Sequence, residues 1–283
     1  ALWAWTLATG RWRAGTELRG ILDTRPLRSY LSELLDLDGL RENVLDERMW
    51  ALGLGTTSYR TGNTMTFIEG VPNLRTWTRA RRRSVRAHLD IDHVMASAAL
   101  PLAFPAIEIA GEWYGDGSIR QSSPLAPPLH LGADRILAIS VRHEPAEGEA
   151  EDPVTGHPPP AQILGSILNG VFLDALEDDA ERLERINRTL GLFPEGYRHP
   201  KGLRPVRLML LRPSMDLGKL AAGLEGELPR ALRTLTGGLG TSKAPTPDLL
   251  SYLLFERTFV ERLIALGRQD AHDQAASVHA FLS

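Results

Sequence analysis

The stretch ASAALPLAFPAIEIAGEWYGDGSIRQSSPLAPPLHLGADRILAISV, residues 96–141, decides the fold class. Ile107, Ile109 and Trp113 alternate as along a strand, and the pattern stops at Asp116-Gly117-Ser118. A Pro-rich link and a short apolar segment closed by Gly132 follow. The run Ile136-Leu137-Ala138-Ile139-Ser140-Val141 is then apolar enough to predict a strand buried on both faces. A carboxylate therefore stands at a strand end, the place where open α/β sheets bind ligands.

Working outward, residues 50–59 and 64–68 are β-type runs joined through Thr61-Gly62-Asn63, which predicts a strand pair. Gly53 and Gly55 inside the first run predict close backbone packing or a bulge. Residues 205–211, PVRLMLL, are a further strand candidate. Leu27, Leu31, Leu34 and Leu35 share a helical face that starts at Thr24 and Pro26 and stops near Gly39. Apolar residues from Leu164 to Leu190 keep helical spacing with Gly191 as the stop, and those from Leu249 to Ile264 do so up to Gly267. Residues 220–239 predict an interrupted helix. Strands separated by helices argue one layered α/β domain over 1–283, with a mainly parallel central sheet and a helical extension from about 161.

Composition narrows the function. A net charge of −3 gives no footprint for nucleic acid. The chain has no Cys, so it has neither disulfides nor thiolate nucleophiles, which is compatible with a cytoplasmic location. No run reaches the roughly 20 apolar residues of a membrane span. Residues 75–86 hold six Arg, which reads as a solvated loop or as a surface that meets anionic lipid headgroups in peripheral contact with a membrane. His88, Asp90, Asp92 and His93 resemble metal ligands by type, but Asp90 or Asp92 as the cap of a short helix explains them, and no metal or other cofactor is expected. Residues 144–160, rich in Pro and acid, predict a mobile loop.

The order Ala96-Ser97-x-Ala99-x-Pro101, Phe104-Pro105, Asp116-Gly117, Pro124-Leu125 and Gly132-Ala133-Asp134 resembles the second half of a patatin-like phospholipase domain of the bacterial type. The resemblance implies a serine esterase that cleaves lipid esters with a Ser-Asp dyad and no His. It implies Asp116 as the catalytic carboxylate and Gly117 as the support of its loop. Ser118 stands where the family's box has Gly or Ala. The family's nucleophile lies in a G-x-S-x-G elbow preceded by a Gly-rich oxyanion loop, and neither occurs ahead of Asp116; Gly237-Gly238-Leu239-Gly240 comes too late in the chain. The expectation is a chain lacking the N-terminal part of the fold, with nucleophile and oxyanion hole outside these residues.

Asp-Gly is also a favoured hairpin dipeptide, so a plain turn is the competing reading of Asp116. A carboxylate with a pKa near ~4 is a poor base unless burial or positioning helps it, and Trp113 and Tyr114 are expected to wall it from water. Ser97 lies in a small-residue helix that is better suited to packing against a neighbour than to attacking an ester. Two functions remain: a lipid acyl hydrolase, or a non-catalytic module of the same fold that binds lipid or protein.

Overall fold

The computed structural model describes residues 20, 22–101, 103–144, 157–194, 197, 199–200, 202–238, 240 and 248–283. These form an α/β protein whose residues group into two compact units, one ending at Ala133 and the other running Asp134–Ser283.

In the first unit, helices α1 (Arg25–Leu34) and α2 (Leu37–Leu45) precede the strands β1 (Ala51–Ser58), β2 (Thr64–Gly70), β3 (Thr78–Arg79) and β4 (Arg82–Arg86). Helix α3 (Ile91–Ser97), strands β5 (Ile107–Ile109) and β6 (Glu112–Asp116), a 3₁₀ turn Gly117–Arg120 and helix α4 (Ala126–His130) complete it. The sheet order is β3-β4-β2-β1-β6-β5, and β2 with β4 is its single parallel pair. The expected mainly parallel sheet is thus corrected to a mixed one. Connection length explains it, because a parallel pair needs a long crossover while β3–β4 and β5–β6 are joined by two residues each. At the second of those turns Ala110 and Gly111 both have positive φ, the backbone a tight hairpin demands.

Within the Arg-rich segment 75–86, residues 78–86 are not a loop but the β3–β4 hairpin at the sheet edge, while 75–77 lie in no strand or helix. The alternation of Trp77 and Ser84, buried, with exposed neighbours was hidden under the charges.

One face of this sheet carries the apolar core. Phe67, Leu89, Ala96 and Tyr114 are buried together, with Leu52, Leu54, Met65, Ile107 and Ile109 packed on them. Phe67 meets Tyr114 and His93 edge-on, with ring centroids 5.2 and 4.6 Å apart. Helix α3 covers this face and is capped by Asp90, whose carboxylate accepts the N–H groups of Asp92 and His93 at 3.0 and 3.1 Å. The His93 ring answers in a capping box, its Nδ1 3.3 Å from the Asp90 backbone N and 2.6 Å from the same carboxylate oxygen. Of the two cap candidates Asp90 and Asp92, Asp90 is therefore the cap, and among the described residues no group of three or more His, Asp or Glu is placed to hold a metal.

Glu69 ties the neighbouring helix to the sheet. Its carboxylate accepts the Leu89 N–H at 2.7 Å and the Arg41 Nε–H at 3.1 Å, with His88 Nδ1 at 3.2 Å. Arg41 also donates to the Leu89 carbonyl. Burial by itself pushes the Glu69 carboxyl up, but the Leu89 amide, His88 and Arg41 together outweigh it and hold it below the ordinary Glu value.

The second unit contains β7 (Arg135–Ile139) and β8 (Arg207–Leu211), a parallel pair whose crossover carries α5 (Pro160–Phe172) and α6 (Asp174–Leu190). Asn187 of α6 fixes the entry to β8, donating to the Val206 carbonyl and accepting its N–H. The helices α7 (Leu217–Ala221), α8 (Arg230–Gly238), α9 (Asp248–Leu253), α10 (Arg257–Asp273) and α11 (Ala275–Leu282) follow. Arg135 donates to the carbonyls of Phe281 and Leu282, placing a cation at the C-terminus of α11.

Four expectations change here. The helix expected over 164–190 is two helices broken at Leu173, and that expected over 249–267 is two broken near Phe255. The helix predicted to stop near Gly39 ends at Leu34, and Asp36 starts a second one by accepting the Gly39 N–H. Strand β7 is not buried on both faces: Ile136 and Ala138 are buried while Leu137 and Ile139 are exposed. Residues 145–156 of the expected mobile loop lie outside the described residues.

A carboxyl held low in the folded state stabilises above its unfolded pKa, near ~4.3 for Glu, and that contribution is lost as pH falls through the lowered folded value. Glu69→Ala strands the Leu89 N–H and should cost about 1–3 kcal/mol at pH 7. Urea midpoints measured at pH 7 and pH 3.5 should converge for variant and wild type at the lower pH; a gap that persists would show that the clasp is not electrostatic.

Candidate active site

Asp116 is the last residue of β6 and the N-cap of the 3₁₀ turn. Its Oδ1 accepts the Ser118 N–H at 2.8 Å and the Ser118 hydroxyl at 2.5 Å. Among the described residues nothing hydrogen-bonds its Oδ2. The backbone is held as firmly as the side chain: Asp116 N–H donates to the Ala99 carbonyl at 3.0 Å, and the Thr57 hydroxyl donates to the Asp116 carbonyl at 2.8 Å. The register pairs Asp116 with Thr56 at the end of β1.

Gly117 is required by space rather than by φ. A Cβ there would fall on the carbonyl of Gly55, so the turn after the carboxylate lies directly against the backbone of β1. That close approach is what the glycines of β1 predict, with the contact made from the opposite partner. Gly115 plays a similar part, since a side chain there would overlap the Tyr59 phenol. Burial, and then the charge of Asp116, raises the Tyr59 pKa.

Trp113 does not wall Asp116. Alternation along β6 sends it to the face opposite Asp116, where it is 44% exposed. Tyr114 shares the face of Asp116 and is buried, but its hydroxyl turns to Glu112 at 3.2 Å. Burial and the Glu112 charge push Tyr114 up to about 12, so it stays protonated. Glu112 in turn takes the Ser58 hydroxyl at 2.5 Å and Arg60 at 3.1 Å, which hold its carboxyl low.

Sequence reading missed Thr57, Tyr59 and Ser118 as neighbours of Asp116. The first two sit at a strand end whose register with β6 only long-range pairing sets. Ser118 was legible, because Asp-x-Ser is a capping pattern. Ser97 ends α3, and no hydrogen bond joins it to Asp116.

The family model of the patatin-like phospholipases matches residues 2–129, which hold Asp116 and Gly117. Over those residues the chain is similar to the patatin-like phospholipases. No curated protein matches the chain.

Because the Gly55 carbonyl cannot retreat without breaking β1 pairing, Gly117→Ala should cost about 1–3 kcal/mol. Gly62→Ala, at a position with nothing within 4 Å but a φ of 66°, is the comparison. It should cost about 1–2 kcal/mol from backbone strain alone. Thermal unfolding of both separates overlap from strain: an unchanged Gly117→Ala midpoint would mean that the two backbones are not pressed together.

Proposed function

We propose that this chain is part of a lipid acyl hydrolase working through a Ser-Asp dyad in which Asp116 is the carboxylate. The observation that carries the reading is the arrangement of Asp116: a strand-end carboxylate inside the family match, fixed by backbone on both sides, with one oxygen occupied and the other unpaired among the described residues. A free carboxylate oxygen on a rigid mount is what a serine hydroxyl needs as proton acceptor. The sequence contains no G-x-S-x-G, so in this reading the nucleophile and the oxyanion donors come from outside these 283 residues. The substrate would be a phospholipid or another lipid ester, met from the cytoplasm by peripheral contact with an anionic membrane. Exposed Arg75 and Arg81 support that contact, and no helix among the described residues is long and apolar enough to cross a membrane.

A second reading rests on the other half of the same geometry. Asp116 already caps a turn and holds Ser118, so a non-catalytic module that binds lipid or protein could retain it for structure alone.

Hydrolysis of a p-nitrophenyl ester distinguishes them. The 283-residue chain should give no turnover above buffer, and a longer product of the same gene that contains G-x-S-x-G should be active. In that protein Asp116→Asn, which keeps the cap, should lower kcat by about 10²–10⁴ with little change in Tm. Full activity of that variant would reduce Asp116 to a turn residue, and turnover by the 283-residue chain would mean a nucleophile lies within it.

A further inference from the structure

The β3–β4 hairpin builds a cationic cluster that the proposed hydrolysis does not use. Its register pairs Thr78 with Arg83 and Arg79 with Arg82, so Arg79 and Arg82 are direct cross-strand neighbours on one face and Arg83 is on the other. Trp77, on the Arg79 side, exchanges hydrogen bonds with Ser84: its N–H donates to the Ser84 hydroxyl at 2.7 Å, and its carbonyl accepts the Ser84 N–H at 3.0 Å. The indole stacks on His130 of α4, with centroids 4.8 Å apart and planes 23° from parallel.

Like charges placed opposite each other on a strand pair are unfavourable; Arg79 is exposed and donates to the Thr78 carbonyl at 3.0 Å, which leaves its charge unneutralised. Among the described residues no carboxylate pairs with Arg79 or Arg82. The Arg82 Nη1 is buried with no hydrogen-bond partner, an arrangement that costs free energy as long as no acceptor arrives. Burial, and then the charges of Arg79 and Arg82, hold His130 below the usual His range, so the field of both guanidinium groups reaches the imidazole.

We propose that Arg79, Arg82 and His130 form a binding site for a phosphate monoester, with Trp77 fixing the imidazole plane. A tetrahedral dianion supplies an acceptor to the stranded Nη1, separates the two cations and accepts from the ring N–H. This adds one stoichiometric site to the diffuse attraction proposed above, and it stands whether or not the protein hydrolyses esters.

Isothermal titration of the protein with inorganic phosphate at constant ionic strength should show saturable binding at one site. Arg82→Gln should weaken it about tenfold or more, the loss of a charge-assisted hydrogen bond. Arg79→Gln should do the same, and it carries the test if the first variant does not fold. Arg83→Gln makes the same charge change on the other face and should leave binding intact. Vesicles of phosphatidylcholine containing phosphatidate, compared with vesicles carrying phosphatidylserine at equal surface charge, identify the source. A preference for phosphatidate that Arg82→Gln abolishes supports the site with a lipid headgroup as its ligand. Phosphate binding without that preference supports it with a soluble phosphate. Absence of saturable phosphate binding, or equal losses in Arg82→Gln and Arg83→Gln, would overturn it.

Discussion

The first unit depends on one strand being approachable from both edges and from one face at backbone distance. Strand β1 pairs with β2 along seven residues and with β6 along three, and the turn after β6 presses on it at Gly55. No side chain on residue 117 satisfies that geometry without displacing a paired carbonyl, so the position of Asp116 is set by the β1 backbone rather than by its own contacts. This is why the carboxylate is rigid even though it is only half buried. A strand that is hydrogen-bonded on both edges cannot slide by one residue without sending Leu52 and Leu54 to the wrong face, which locks the register that places Thr57 under Asp116.

The two duties of Asp116 are compatible because they fall on different oxygens. Capping a short turn stabilises by about 0.5–2 kcal/mol and needs one acceptor. Proton acceptance needs another acceptor, in a fixed direction. Ser118 loads Oδ1 with two donors, and a carboxylate so loaded cannot rotate freely to present that oxygen elsewhere. The cap is thus a positioning device in the catalytic reading and the whole role in the structural one. The difference between a family box ending in Gly or Ala and this one ending in Ser118 is one extra hydrogen bond to the same oxygen.

The sequence made local features legible and left long-range ones hidden. Gly62 in its turn, a cap at Asp90 or Asp92 and a strand over 205–211 follow from a few adjacent residues; the structure has the turn, takes Asp90 as the cap and forms the strand over 207–211. The mixed sheet could not be read, because alternation marks a strand without marking its partner, and β2 pairs with β4 in parallel across an eleven-residue link, 71–81. The hairpin at 78–86 was masked because Arg on an exposed strand face looks like Arg in a loop. For the site, the residue bearing the charge was legible and its surroundings were not: Tyr59 and Thr57 reach Asp116 only through β1–β6 pairing across more than fifty residues. Trp113 failed for a local reason, since adjacent strand residues point to opposite faces.

The arginine hairpin shows how one feature can answer two constraints. Strand β3 is a sheet edge, and an edge without charge invites pairing with another chain. Exposed arginines on this ribbon, such as Arg79, Arg81 and Arg83, meet that need at little cost, because long cationic side chains stay solvated. Edge protection does not explain an inward guanidinium N–H without an acceptor, nor a cation set directly across from it and beside a histidine stacked on tryptophan. A protein that required only solubility at this edge would be served as well by Arg82 turned outward. The inward placement has a cost that a solvated arginine avoids, and an anion held between the two guanidinium groups is the arrangement that removes it.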